Sequence, residues 1–185
     1  MRSSGPEWVS KFPPSVAVDD LSEPFRTNVR RFLAALGAAH ATAAIASTLR
    51  PPERAYLMHF SFAIASEGMD PATVPAMAGV NIDWVHRDGS ERPDLAASRA
   101  AARHMVDGYG IAFRPALRTR HSEGTAIDMT ISWSGALTIA GADGVPVTIV
   151  SAPRSGGNTD LQAVGSGYGV LKLVTDPPHW SIDGH

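Results

Sequence analysis

Two histidines and an aspartate stand where they can share one metal ion. His121 and Asp128 lie in Arg120-His121-Ser122-Glu123-Gly124-Thr125-Ala126-Ile127-Asp128, and Asp176-Pro177-Pro178-His179-Trp180 follows near the C-terminal end of the chain. Two imidazoles and one carboxylate suffice to hold a zinc ion and leave a fourth position open to water, the arrangement of a catalytic rather than a structural zinc. Asp176, three residues before His179, has the chemistry of a general base for water activated by such an ion.

Composition removes several alternatives. The chain has no cysteine, which excludes disulfides, thiolate ligands and a cysteine nucleophile. His121-Ser122-Glu123 matches the first half of a zinc deaminase signature, but that chemistry needs two later cysteines and is discarded. With 16 Lys and Arg against 18 Asp and Glu, the formal charge of -2 supplies no broad basic field, so nucleic acid is not an expected partner.

The positions that must carry these groups follow from hydrophobic spacing. At 185 residues the expectation is one domain, preceded by an irregular arm over residues 1–20. The domain proper then covers 21–185. Phe25, Val29, Phe32, Leu33 and Leu36 recur at helical spacing, with Ser22 as N-cap and Gly37 as terminator. A buried strand is expected over 40–48, then a helix opened by Pro51 and Pro52 and closed by Gly68. Residues 69–93 carry repeated prolines and glycines and read as a long excursion with little regular structure. Asp94 caps a helix that ends near Gly108 or Gly110.

Beyond Gly110 the texture becomes short and alternating. A strand over 126–131 places Ala126 and Asp128 on one face, and Gly124 allows the tight turn that swings His121 back toward it. A hairpin is expected from 136–139 and 145–150 around Asp143-Gly144, with Pro146 at an edge. A short helix over 158–164 and a strand over 168–174 lead into Asp176. Gly165, Gly167 and Gly169 read as turn glycines rather than a dinucleotide loop. The segment MRSSGPEWVSKFPPS lacks the apolar core of a secretory signal. The alanine-rich run over 33–47 is too short to span a bilayer. Synthesis in the cytoplasm without a membrane segment is the expectation.

Thr119-x-His121-x-x-Gly124-x-Ala126-x-Asp128 resembles the S-x-H-x-x-G-x-A-x-D motif of the zinc D-alanyl-D-alanine carboxypeptidases and dipeptidases and of phage L-alanyl-D-glutamate endopeptidases. Asp176-Pro177-Pro178-His179 is similar to their closing E/D-x-x-H. Upstream, Ser47-Thr48-Leu49-Arg50-Pro51-Pro52 is similar to the segment that places an arginine near the reacting carbonyl. The three matches occur in the family's order. Threonine at 119 replaces the commoner serine, and aspartate at 176 is nearer the endopeptidase pattern than the dipeptidase glutamate.

The resemblance implies the hedgehog/DD-peptidase fold, an α+β domain with a small antiparallel sheet that carries the zinc and is flanked by helices. It implies one Zn2+ held by His121, Asp128 and His179, Asp176 as base and proton shuttle, and Arg50 as stabiliser of the anionic intermediate. The implied substrate is a peptidoglycan stem peptide cut at a bond involving a D-amino acid, by a monomer acting in the cell wall or periplasm, with endopeptidase action favoured. Trp180 is expected to pack beneath the site, and Arg114, Arg118 and Arg120 form a local basic cluster able to meet substrate carboxylates or solvent.

Two other classes stay open at this level. A non-haem iron oxygenase also uses two histidines and a carboxylate, although its first histidine and carboxylate usually lie closer together and it needs no base beside the last histidine. A non-catalytic, cell-wall-binding zinc module would keep the ligands without needing Asp176 or Arg50.

Overall fold

A computed structural model describes all of residues 1–185. In chain order the elements are β1 (Arg2–Ser3), α1 (Phe25–Ala38), β2 (Thr42–Ser47), α2 (Pro52–Ser66), β3 (Ile82–Asp83), α3 (Leu95–Tyr109), β4 (Ala126–Ser132), β5 (Leu137–Ala140), β6 (Pro146–Ile149), α4 (Thr159–Gly167), β7 (Leu171–Lys172) and β8 (His179–Ser181). The α+β class expected from the sequence holds: four helices accompany small sheets. No helix is long and apolar enough to cross a membrane.

The residues fall into two compact units, one made of 1–13 and 51–118, the other of 14–50 and 119–185. The first is built on the α2 and α3 pair. Pro52 opens α2 where a missing N–H costs nothing. Asp94 caps α3 by accepting from Ala97 N at 2.9 Å, and Gly110 closes it at φ 66°. Tyr56, Leu57, Phe60, Ile64, Ala102 and Met105 pack with Trp8, Val80, Ile82 and Trp84.

Two sequence expectations change here. Trp8, read as part of an irregular arm, is a core residue, and β1 pairs in parallel with β3 through Arg2↔Ile82. The excursion over 69–93 supplies β3 and four buried residues, Pro71, Val80, Ile82 and Trp84. A two-residue strand is too short to produce a readable alternation, which is why the sequence showed only punctuation.

The second unit holds a four-stranded antiparallel sheet in the order β2-β4-β8-β7. Along β4, Ile127, Met129 and Ile131 are buried in the main core, while Thr130 is exposed and Asp128 half-buried. Against that core α1 sets Phe25, Val29, Phe32 and Leu36, the stripe read from the sequence. Phe32 lies 5.7 Å from both the Trp180 and the Tyr168 ring. Trp180 is fully buried, as expected of a packing residue.

Smaller departures follow local rules. The α1 helix runs through Gly37 to Ala38, and His40 takes the left-handed conformation beyond it. Ser22 is not its N-cap; its hydroxyl donates to Glu123 O at 2.8 Å. Asn158 caps α4 by accepting from Asp160 N and Leu161 N. The strand expected over 168–174 shrinks to Leu171–Lys172, because Tyr168 and Gly169 close α4 and a turn begins at Leu173. The hairpin of β5 and β6 pairs Ala140 with Pro146 at its turn end.

Candidate metal centre

Sheet register, not sequence proximity, assembles the site. Asp128 on the central strand β4 is the cross-strand partner of His179 on β8 and of Ser47 on β2. Directly opposed residues in antiparallel strands have Cβ atoms about 4.5–5.5 Å apart, so this register necessarily sets the His179 ring beside the Asp128 carboxylate. β8 itself was not foreseen: three residues after two prolines carry no detectable period.

His121 comes from the turn that precedes β4. Glu123 N bonds Thr119 O at 3.1 Å, Gly124 N bonds His121 O at 3.3 Å, and Thr125 N bonds Arg120 O at 2.8 Å. Thr119 keeps the role a hydroxyl would have there, accepting from Ser122 N at 3.2 Å. Gly124 is at φ 69°, and a Cβ on it would lie 2.7 Å from Ser22 Oγ and 3.0 Å from Ser22 N. Both the left-handed backbone and the close approach require glycine.

Three donor atoms converge. His121 Nε2 and His179 Nδ1 each lie 3.1 Å from Asp128 Oδ1, and the two nitrogens are 3.2 Å apart. A tetrahedral ion with bonds of about 2.0–2.1 Å separates its donors by about 3.3 Å. The triangle fits that demand and leaves one apex of the tetrahedron free. No other group of three or more His, Asp or Glu residues in the chain is arranged to hold a metal ion.

The outer nitrogens are held by main-chain oxygens. His121 Nδ1 is 2.7 Å from Thr48 O, and His179 Nε2 is 3.1 Å from the backbone oxygen of His185. Each can only be an N–H donor to such an acceptor, which fixes the tautomer and leaves the inward nitrogen with its lone pair. Thr48 is itself immobilised: its N donates to Ser15 O at 2.7 Å and its hydroxyl to Ala17 O at 2.9 Å. His121 and His179 are both buried.

Electrostatics agree with the geometry. Burial opposes ionisation of Asp128, but hydrogen bonds from His121 and His179 outweigh it and hold the carboxyl well below the usual carboxylate range. Burial likewise opposes a charge on His179, and its bonds to Asp128 and His185 more than compensate, raising its pKa. The carboxylate therefore favours the protonated form of the His179 imidazole.

Asp176 is exposed in the loop before β8, and its carbonyl accepts from His179 N at 3.1 Å. Its charge contributes to the raised His179 pKa. Arg50 is half-buried and its backbone N donates to His121 O at 3.0 Å, so it starts beside the first histidine. The arginine cluster is mostly committed: Arg114 pairs with Glu67 at 2.8 Å, and Arg120 bridges Glu123 and Asp183. Residues that sequence reasoning missed are Thr48, whose carbonyl orients His121, and Ser22, which braces its turn. A main-chain acceptor leaves no mark in a sequence.

No protein-family model, curated protein or solved structure matches the chain.

Proposed function

We propose that this chain is a zinc peptidase that hydrolyses peptidoglycan stem peptides at a bond involving a D-amino acid, with the fold of the hedgehog/DD-peptidase type and the cell wall or periplasm as its site of action. The observation that carries the reading is the triangle of His121 Nε2, Asp128 Oδ1 and His179 Nδ1, with both outer imidazole nitrogens tied to main-chain oxygens. The order of the Arg50, His121–Asp128 and Asp176–His179 motifs supports the substrate class.

A zinc ion held by these three side chains would polarise the scissile carbonyl and lower the pKa of a water to about 7. Asp176 would accept a proton from the attacking water at a carboxylate oxygen and return it to the leaving amine. Its carboxylate is exposed, and its carbonyl is bonded to the N–H of His179, which ties the residue to the last ligand. Arg50 supplies positive charge where the carbonyl oxygen becomes anionic. Thr48 and His185 hold the imidazoles so that neither ring turns during the reaction.

The test is mass spectrometry of muropeptides after digestion of purified cell wall by zinc-loaded protein. Products with new stem-peptide amines are expected, and their masses name the bond. Stoichiometric iron with oxygen-dependent turnover, or tight wall binding without any product, would overturn the peptidase reading.

A further inference from the structure

Residues 173–178 carry Asp176 and deliver His179, yet little packing holds them. Residues 174–177 are exposed, Val174 at 76%. Beneath them lies a cavity of about 540 Å³ lined by Met129, Ile131, Gln162, Val174, Pro177 and Pro178. Apolar contact, the usual anchor of a loop, is therefore missing under the segment whose geometry matters most.

Main-chain bonds close the loop on itself and tie Pro178 O to Met129 N at 2.9 Å, and a single ammonium joins its parts. Lys172, the last residue of β7, extends along the root of the loop. Its Nζ lies 2.5 Å from Leu173 O, 2.5 Å from Asp176 O and 3.0 Å from His179 O. An ammonium has three N–H donors and no acceptor, so all three are used. The head also sits 5.7 Å from the Trp180 ring centroid, on the residue that follows the last histidine.

We propose that Lys172 is the positioning residue of the site: it gathers the carbonyls at the start, middle and end of the loop and so fixes Asp176 and His179 relative to the sheet. The proposal deepens the metal-centre reading and rests on it for its consequence, while the tether itself is a property of the fold. Charge-assisted bonds of this kind are roughly twice as strong as neutral ones. Each of these carbonyls also accepts a main-chain N–H, Leu173 O from Asp176 at 3.2 Å, Asp176 O from His179 at 3.1 Å and His179 O from Leu173 at 3.1 Å, so loss of the cation removes the one group that links all three.

The test compares Lys172→Met and Lys172→Arg with the wild type by amide hydrogen exchange and by zinc competition titration. Methionine keeps an unbranched stem against Trp180 and removes every donor. Expected for Lys172→Met are exchange at residues 173–179 faster by tenfold or more, unchanged protection in β4, and zinc affinity lower by about 10–100-fold. Arginine keeps the charge, but its planar fork cannot converge on three carbonyls. It should restore folding while leaving the loop loosened and zinc affinity reduced, and it serves as the test variant if the methionine chain does not fold. Where the wild type hydrolyses stem peptides, kcat should fall about tenfold in either variant with KM within about twofold.

Wild-type exchange at 173–179 in the variant that folds overturns the tether, and wild-type zinc affinity overturns its role at the site. Failure of the peptidase reading looks different. Wild-type protein would then hydrolyse nothing, while the exchange and affinity differences between variants would persist.

Discussion

Gly124→Ala probes the turn that aims His121. Two costs are readable from the structure. The residue sits at φ 69°, where an L side chain costs about 1–2 kcal/mol. The new Cβ would also lie 2.7 Å from Ser22 Oγ and 3.0 Å from Ser22 N. The hydroxyl can rotate away at the loss of its bond to Glu123 O, about 1 kcal/mol. The backbone nitrogen cannot, so the turn or the 20–22 segment must shift, adding about 1 kcal/mol.

The expected destabilisation by urea titration is therefore about 3–4 kcal/mol, with zinc affinity reduced because His121 leaves its place over Asp128. Ser22→Ala should cost about 1 kcal/mol alone and less than that in the Gly124→Ala background, where its bond is already broken. A Gly124→Ala protein within about 0.5 kcal/mol of wild type, with unaltered zinc affinity, would refute the claim that this turn is built around glycine.

Asp176→Ala should bind zinc within about threefold of wild type and lose hydrolysis by at least about a hundredfold; full hydrolysis by the zinc-loaded variant would remove Asp176 as base. Zinc affinity should rise with pH through a range displaced above the ordinary imidazole value, because the ion must displace a proton from His179, whose pKa is raised, while Asp128 stays ionised throughout. A flat profile in competition titrations would contradict that coupling. Burial pushes the Tyr109 hydroxyl up to about 12 against the opposing Arg54 charge, and its O–H donates to Trp8 O at 3.1 Å. The neutral phenol favours the folded state, so this contribution is intact below the ordinary value near 10 and is lost as pH rises through about 12. Ultraviolet titration should show Tyr109 ionising only with alkaline unfolding, and normal titration near pH 10 in folded protein would count against its burial.

Elements with a sustained period were legible in the sequence. The α1 stripe of Phe25, Val29, Phe32 and Leu36, the Asp94 cap and Gly110 stop of α3, and the β4 alternation around Asp128 are all present. So is the hairpin at Asp143-Gly144. Short pieces were not legible, since β1, β3 and β8 span only two or three residues and exist through partners distant in the chain. The three ligand candidates were readable as residue types at suggestive spacing, yet their convergence depends on the Asp128↔His179 register. Sequence held no trace of the Thr48 and His185 oxygens that fix the imidazoles, nor of the three carbonyls around Lys172.

The most direct measurement is a zinc titration of metal-free protein beside a variant in which His121, Asp128 and His179 are all alanine. The structure predicts one equivalent bound tightly by the wild type and none by the variant, since the chain offers no second group of ligands. Equal zinc uptake by both proteins, or no uptake by either, would contradict the metal centre on which the proposed chemistry depends.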